Sequence, residues 1–418
     1  MMKKRIAYLL VGLVVVYFIV DEFKGRLFDY IANNYVTRVT AHPSAPQPDQ
    51  VCLTWSGDPR NTQAVQWRTA MSVYDGVVQY RMSTPSDSES KELRVVPLVM
   101  EDRLLENDPK IHRYTGELKE LQPATSYTYR VGSKDQGFWS EWSEFTTAPD
   151  GVTPFKFVYM GDPQEGLEYW GNLLQRAHER FPEAVFYTIA GDIVNNGHFR
   201  NEWDQLLCGA KGVFERRSVV PSIGNHDYDK RPSPSMYLDH FALGTNGPKD
   251  VPAEHAYSFT YGNALFIVLD SNRRIDQQTA WLEKTLAESK ATWKFAIFHH
   301  PAYSSAPHRD NDEVREQWGA LFDKYHVDMA LQGHDHAYLR TFPMKGEKRV
   351  ESPAEGTIYV VSVSGTKFYE QEPHDYSAVQ FANVPTYQVL DISVNPDRLT
   401  YRAYDLQDNI KDELIIEK

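Results

Sequence analysis

The chain is poor in cysteine. Cys52 and Cys208 are the only two cysteines among its 418 residues, and they fall in different predicted domains. Two isolated thiols exclude a disulfide framework, and no pair of cysteines has the spacing of a zinc finger. We therefore expect two buried thiols, and a metal ion would have to be bound by Asp, Asn and His side chains.

Basic residues are also in deficit. There are 44 Lys and Arg against 57 Asp and Glu, so the formal net charge is -13. An acidic chain repels phosphate backbones, which argues against a nucleic-acid scaffold role. A small phosphorylated substrate is still compatible with this charge, because bound cations reverse the local field.

Long apolar runs are scarce, and the clearest one is N-terminal. Lys3, Lys4 and Arg5 precede an apolar run over residues 6–20. A basic flank before such a run is typical of an export signal, and the bulky residues that follow offer no small-residue cleavage site. We expect an uncleaved signal anchor or transmembrane segment over residues 1–25, rather than a buried core helix. Because basic residues stay in the cytoplasm, the protein should be membrane-anchored or secreted, with its bulk in the periplasm or at the cell surface.

A proline-rich linker over residues 26–48 leads into a segment of strand-like alternation. Short alternating runs separated by turn residues, such as AVQWRT and SYTYRVGS, predict an antiparallel β-sandwich over residues 49–149. The stretches PATSYTYR and EFTTAP resemble a fibronectin type III module. Nothing in this segment carries chemistry, so we interpret it as a spacer or an interaction surface.

Strand-like and helical runs alternate from residue 150 to residue 418. Four stretches have the 3.6-residue spacing of amphipathic helices. They are EYWGNLLQRAHERF, NEWDQLLCGAKGVF, DQQTAWLEKTLAES and NDEVREQWGALFDKYH. Alternation of this kind predicts an α/β domain.

A short polar cluster follows each of five strand-like runs in this domain. The clusters are GD at 161–162, GD at 191–192, GNHD at 224–227, HH at 299–300 and GHDH at 333–336. Any one of them alone is more simply a turn, a cap or exposed surface. Asp, Asn and His are, however, ligands of divalent and trivalent first-row metals, and strand ends converge along one edge of a sheet. Together the clusters predict a metal centre.

The order GDPQ, GDIVN, GNHD, AIFHHP and GHDH resembles that of the calcineurin-like metallophosphoesterases, and within them the purple acid phosphatases. The likeness covers about residues 154–405. It implies an α/β four-layer sandwich, the metallophosphoesterase fold. The expected architecture is therefore an N-terminal membrane helix, an all-β antiparallel sandwich and this catalytic domain.

The resemblance also implies a site with two metal ions (Fe, Zn or Mn) in which Asp192 bridges the pair. The implied ligands are Asp162, Asp192 and His336 for one ion, and Asp192, Asn225, His299 and His334 for the other. His226 would be the catalytic residue that protonates the leaving group. Asn195 and His308 would bind substrate.

Two residues depart from the family pattern, and one ligand position is ambiguous. Asn195 replaces the metal-binding Tyr that gives the family its colour, so the protein should not be purple. Gln164 stands where purple acid phosphatases usually have Gly and most of the wider superfamily has a ligating His. Such a Gln should be a poor ligand that hydrogen-bonds the phosphate instead. His299 and His300 compete for one position; we expect His299 to bind metal and His300 to face away, because strand neighbours alternate.

The implied activity is hydrolysis of phosphomonoesters outside the cytoplasm, by in-line attack of a metal-bridging hydroxide. The partners would be a phosphorylated small molecule or ester and, through the N-terminal helix, a membrane. A phosphodiesterase or nucleotide pyrophosphatase on the same fold is the first alternative. A non-catalytic surface binding protein is the second, and the presence of all six implied ligands speaks against it.

Overall fold

The computed structural model describes residues 35–85, 88–228 and 231–418. The predicted signal anchor over residues 1–25 lies outside these residues, as does the start of the predicted linker. Among the described residues, no helix combines the length and the apolar character needed to cross a bilayer.

The first part of the described chain is a β-sandwich of two antiparallel sheets, as the alternating pattern predicts. One sheet contains, in spatial order, Asp49–Thr54, Gln63–Ala70, Lys110–Leu118 and Leu98–Glu101. The other contains Lys91–Val95, Gly76–Met82, Ser126–Ser133 and Phe138–Trp139, with Ser143–Thr146 also paired to Ser126–Ser133. Trp67 and Tyr114 stack in its core with ring centroids 4.8 Å apart.

The second part is built on two larger mixed sheets. The six-stranded sheet has the order Ser218–Ser222, Ala184–Ala190, Phe155–Met160, Tyr387–Ser393, Arg398–Tyr404 and Ile410–Glu417. The seven-stranded sheet has the order Tyr257–Tyr261, Ala264–Val268, Trp293–Ile297, Met329–Gln332, Ile358–Val361, Tyr338–Thr341 and Ser377–Phe381. A small hairpin pairs Met344–Lys345 with Lys348–Arg349.

The two large sheets pack face to face through aromatic side chains, and helices cover the outer faces. Phe157 of the six-stranded sheet lies 5.1 Å from Phe266 and 5.3 Å from Phe295 of the seven-stranded sheet, measured between ring centroids. The helices are Leu167–Arg180, Arg200–Gly209, Asn225–Tyr228, Ser235–His240, Ile275–Glu288, Asp312–Val314 and Ala320–Tyr325, with a π-helical turn at Arg315–Gly319. This arrangement is the four-layer sandwich that the resemblance implies. The fourth predicted helix is therefore not continuous, because the π-helical turn interrupts its α-helical hydrogen bonding.

The sandwich and the α/β part are joined by buried contacts. Arg68 forms an ion pair with Asp204, with its Nη1 2.7 Å from the carboxylate, and both side chains are fully buried. Trp55 packs against Phe186 with ring centroids 5.4 Å apart. Neither cysteine forms a disulfide; Cys52 is buried, and Cys208 is half-buried rather than fully buried as predicted.

Parallel pairing brings the polar clusters to the same side of each sheet. Phe155–Met160, Ala184–Ala190 and Ser218–Ser222 run parallel, so the first three clusters follow neighbouring strand ends. Trp293–Ile297 and Met329–Gln332 also run parallel, and the last two clusters follow them. Because the two sheets pack together, these five loops meet at one edge of the domain.

Candidate metal centre

The predicted ligands meet in a buried site at this edge. Single ligand atoms of Asp162, Asp192 and His299 all lie within 4.8 Å of one another, and the three side chains are buried. The backbones of Asp162 and Asp192 have positive φ angles of 36° and 47°. Non-glycine residues seldom adopt this conformation, and strain of this kind is concentrated at functional sites. The backbone turns sharply after each of these two strands, and this turn directs the Asp162 and Asp192 carboxylates toward His299.

His299 follows a strand of the seven-stranded sheet and contacts residues at the strand ends of the six-stranded sheet. Its Nε2 lies 3.2 Å from Asp192 Oδ2 and 3.1 Å from Asn225 Oδ1. Its Nδ1 lies 2.9 Å from the carbonyl oxygen of Ala190, which can only accept, so Nδ1 carries a proton and donates it. This second contact sets the tautomer and leaves Nε2 to face the ligand oxygens.

His334 and His336 complete the cluster from the last loop. His334 Nδ1 lies 3.1 Å from His299 Nε2, and the backbone N–H of His334 donates to the Asp162 carboxylate at 2.8 Å. His336 Nε2 lies 3.5 Å from Asp162 Oδ2. His336 Nδ1 donates to the carbonyl oxygen of Lys367 at 3.1 Å, so Nε2 is again the nitrogen with the lone pair, and it faces Gln164 Nε2 at 3.0 Å.

Close backbone packing between loops requires glycine at two of the cluster positions. A Cβ on Gly333 would lie 2.1 Å from Asp162 Oδ1, and a Cβ on Gly224 would lie 2.0 Å from the backbone nitrogen of Asp192. No side chain fits at such distances. The glycines of the motifs thus let two loops approach closely enough for their carboxylates and imidazoles to share one centre.

Replacing Gly333 with alanine is therefore expected to push Asp162 out of place and to weaken metal binding by about 10-fold or more. The measurement is a titration of metal-free protein with Zn²⁺ or Mn²⁺. Gly151→Ala is the matched control, because a Cβ there would meet nothing within 4 Å. Equal affinity in the two variants would show that the close approach is not needed.

Charged side chains within the site shift one another's pKa values. Burial raises the pKa of Asp162 well above its usual range. Although burial has the same tendency at Asp192, the charge and hydrogen bond of His299 hold the pKa of Asp192 below its usual range. Burial opposes the charge on His299, but Asp192 and Asp162 raise its pKa to about 9. Burial lowers the pKa of His336 to about 4, so its ring is neutral at physiological pH.

The donor set fits metal ions. Within the described residues, no Lys or Arg lies in ion-pair distance of Asp162 or Asp192. Two buried carboxylates need a counter-charge; the His299 imidazole, with its raised pKa, can supply it, and bound cations would supply it in place of that proton. The His336 ring is neutral, and Asn225 offers an amide oxygen at 3.1 Å from His299 Nε2. Such a set of oxygen and imidazole donors suits first-row metals.

His226 lies beside the cluster and is half-buried. Its Nδ1 donates to the backbone carbonyl oxygen of Asn195 at 2.7 Å, and its backbone N–H donates to Asp192 Oδ1 at 2.9 Å. These contacts orient the ring and leave Nε2 available for proton transfer. The contact of Asn195 is thus made by its backbone, and its predicted role toward substrate stays a prediction.

His308, the other predicted substrate residue, is exposed and has a positive φ of 59°. Among the described residues, no hydrogen bond joins it to the six predicted ligands. It lies in the loop between Trp293–Ile297 and Asp312–Val314, and its substrate role also stays a prediction.

The expectation that His300 faces away is wrong. Ligand atoms of His299, His300 and His334 lie within 4.8 Å of one another, and the rings of His300 and His334 have centroids 4.3 Å apart. The strand ends at Ile297, so the alternation of strand neighbours no longer applies at residues 299 and 300. His300 Nδ1 instead lies 3.0 Å from Ser271 Oγ, which holds the ring against the cluster.

Two aspartates of the motifs hold the loops in place, a role that the sequence did not reveal. The Asp227 carboxylate accepts from the backbone N–H groups of Ile193 at 3.0 Å and Gly224 at 2.7 Å, which ties the second cluster to the third. The Asp335 carboxylate accepts from Ser305 N at 2.8 Å and Arg309 Nε at 3.1 Å. In the sequence, this role is indicated only by the position of Asp227 within GNHD and of Asp335 within GHDH.

Comparisons with known proteins show which families the chain resembles. Residues 48–147 match the family model of the purple acid phosphatase N-terminal domain, and residues 155–338 match that of the calcineurin-like phosphoesterases. An uncharacterized protein of Mycobacterium tuberculosis is 24% identical over 344 residues, which are 72% of this chain and 64% of that protein. Fe(3+)-Zn(2+) purple acid phosphatase 12 of Arabidopsis thaliana is 27% identical over 338 residues, 72% of this chain and 66% of that protein. The chain thus spans slightly less than two thirds of the length of both relatives.

A solved structure shares the fold. The purple acid phosphatase PPD1 from yellow lupin (Lupinus luteus) seeds superposes with a TM-score of 0.74 at 20% identity. The superposition covers 90% of this chain and 75% of the lupin chain, so both the sandwich and the α/β part are included.

Proposed function

The chain belongs to the calcineurin-like metallophosphoesterases of the purple acid phosphatase type, and from this premise we propose that it hydrolyses phosphomonoesters at a dinuclear metal centre. The observation that carries the proposal is the meeting of six side chains from five loops. His299 Nε2 alone lies within 3.2 Å of ligand atoms of Asp192, Asn225 and His334. A structural cluster of this size would bury polar groups at a high cost without a ligand to bind.

The six side chains divide naturally between two ions. Asp192 would bind both of them. Asp162 and His336 would complete one site, and Asn225, His299 and His334 the other. The Arabidopsis relative is named for iron and zinc; since position 195 offers no phenolate here, we propose Fe, Zn or Mn without the purple colour. Bound at these residues, two ions would supply a nucleophilic hydroxide for in-line attack and neutralise the phosphoryl oxygens.

The residues of the chain perform three tasks in this proposal. The carboxylates and imidazoles are held in position by hydrogen bonds to other residues of the chain, so little reorganisation would be needed on binding. The buried setting of Asp162 and Asp192 excludes water from the ligand atoms. His226, oriented by the carbonyl of Asn195, donates a proton from Nε2 to the departing alkoxide.

We also propose that the catalytic part lies outside the cytoplasm, tethered by the N-terminal segment. This part of the proposal is supported by the basic residues at 3–5 and the apolar run over 6–20, which lie outside the described residues. The β-sandwich would then act as a spacer or an interaction surface, because its sequence contains no recognisable catalytic or metal-binding motif.

The test of the proposed activity uses the full-length protein, stripped of metal and reconstituted with Zn²⁺, Mn²⁺ or Fe²⁺ separately. Turnover of p-nitrophenyl phosphate should exceed that of bis-p-nitrophenyl phosphate by at least about 10-fold, because the proposed substrate is a monoester with two ionisable oxygens. The reverse preference would favour a phosphodiesterase on the same scaffold. Protein that binds no metal and hydrolyses neither ester would be a binding protein, and the proposal would be wrong.

A further inference from the structure

The carboxamide of Gln164 lies inside the candidate metal centre. Gln164 is fully buried, and its Nε2 lies 2.8 Å from Asp192 Oδ2 and 3.0 Å from His336 Nε2. These are atoms that would bind the ion shared by Asp162, Asp192 and His336. The Gln164 side chain therefore lies among the proposed ligands of this ion, rather than at the edge of the site.

The backbone around Gln164 holds the side chain at this place. Its N–H donates to the carbonyl oxygen of Asp192 at 3.3 Å, and the Gly365 N–H donates to the carbonyl oxygen of Asp162 at 2.9 Å. A Cβ on Gly365 would lie 2.1 Å from the carbonyl oxygen of Gln164, so the two segments are in tight contact. The head group can rotate, but it has little room to leave the centre.

The amide oxygen of Gln164 is the anomalous atom. Oε1 is buried and has no hydrogen-bond partner among the residues that the structure describes, although buried polar atoms are nearly always paired. Its partner nitrogen meanwhile uses the same lone pairs on Asp192 and His336 that a cation would need. Rotation by about 180° about the last side-chain bond exchanges the two atoms without moving the rest of the residue, and this torsion is soft.

We propose that Gln164 Oε1 is a direct ligand of the ion held by Asp162, Asp192 and His336. The Gln164 amide N–H groups donate to Asp192 and His336; with an ion held by these residues, the head group would be turned so that Oε1 faces it. An N–H group directed at a cation would be repelled, whereas an amide oxygen is attracted. This role rests on the proposed dinuclear function and replaces the expectation that Gln164 is a poor ligand.

The proposal gives the two ions matching neutral ligands. Asn225 would supply an amide oxygen to one ion, and Gln164 to the other. Because the proposed ligands of the two ions include only two carboxylates, Asp162 and the shared Asp192, the ligand charge stays low and the ions keep their affinity for anionic phosphate oxygens. Gln164 would also be the fourth protein ligand of the ion held by Asp162, Asp192 and His336. Position 195 is an asparagine, so no tyrosinate is available there.

The experiment measures metal binding directly. Full-length protein and the variants Gln164→Ala, Gln164→His and Gln164→Glu are stripped of metal and titrated with Mn²⁺ or Zn²⁺ in competition with a chelator. Wild type should bind two ions. Gln164→Ala should bind one ion with unchanged affinity and the other about 10- to 100-fold more weakly, while His and Glu, which retain a donor atom, should restore most of the loss.

A matched control and a second readout separate this role from others. Gln175→Ala removes a glutamine of the helix Leu167–Arg180, whose Nε2 donates to the carbonyl oxygen of Gly209 at 3.1 Å, and should bind both ions normally. Far-UV circular dichroism of each variant shows that it is folded; if Gln164→Ala is not, the order of affinities among Gln, His and Glu decides.

Three other results would count against the proposal in distinguishable ways. Normal binding of both ions by Gln164→Ala, with a raised KM for p-nitrophenyl phosphate, would make Gln164 a phosphate contact. Normal binding with normal kinetics would make it a packing residue. Absence of any metal binding by the wild type would overturn the dinuclear function itself, and the ligand role with it.

Discussion

Replacing Asp192 with alanine is expected to remove both metal sites and to lower turnover by more than about 10³-fold. Asp192 is the residue that the two proposed ions share, so its loss affects both. Its Oδ2 lies 3.2 Å from His299 Nε2, and its Oδ1 accepts from the backbone N–H of His226 at 2.9 Å. The substitution thus removes the proposed bridging ligand and also the acceptor for the backbone N–H of His226, the proposed catalytic histidine.

The measurement combines metal content after dialysis with turnover of p-nitrophenyl phosphate. Asp391→Ala is the matched control: Asp391 lies on the strand Tyr387–Ser393, is partly exposed and faces Lys156 at 3.4 Å. Asp192→Asn preserves the shape and tests the charge alone; we expect weaker binding than in wild type. An Asp192→Ala protein with two ions and full turnover would refute the shared-ligand assignment.

Replacing His226 with alanine is expected to leave both ions in place and to lower kcat by roughly 10²–10⁴-fold. The imidazole is not among the proposed ligands, and its Nδ1 already donates to the carbonyl oxygen of Asn195. The remaining nitrogen is the one that can protonate the leaving group. Metal content should therefore separate this variant from Asp192→Ala.

The choice of leaving group makes the test of His226 specific. Phenolate is more basic than p-nitrophenolate and needs protonation more, so the loss in kcat should be larger for phenyl phosphate than for p-nitrophenyl phosphate. His42→Ala, which removes a partly exposed histidine before the strand Asp49–Thr54, is the control. An equal loss with both esters would assign His226 to positioning, and an unchanged kcat would remove it from catalysis.

His299 and His300 show where a local sequence pattern stops predicting side-chain direction. Sequence placed both residues at a strand end, and the alternation rule then assigned them to opposite directions. The structure ends the strand at Ile297 and brings both rings against His334. Alternation holds only while the backbone is extended, and the position of the last strand residue depends on pairing with Met329–Gln332, which local sequence does not encode.

Gln164 shows the same limit for a single side chain. Its identity suggested a poor metal ligand near phosphate, because the motif says nothing about what surrounds the head group. Tertiary contacts with Asp192, His336 and Gly365 place the amide between proposed ligand atoms. Gln164 and His336, which are in contact, are 172 positions apart in the chain. No short stretch of sequence can therefore predict what surrounds the Gln164 amide.

The amino-acid sequence by itself determined the residue types that can bind metal, their order along the chain, the β-sandwich before the α/β domain and the resemblance to metallophosphoesterases. Each of these depends on local composition and short-range periodicity. Only the tertiary structure decided which nitrogen of each histidine faces inward, because the carbonyl groups of Ala190, Lys367 and Asn195 that set the ring orientations belong to other loops. Hydrogen bonds across such distances exist only once the two sheets have packed and the loops have met.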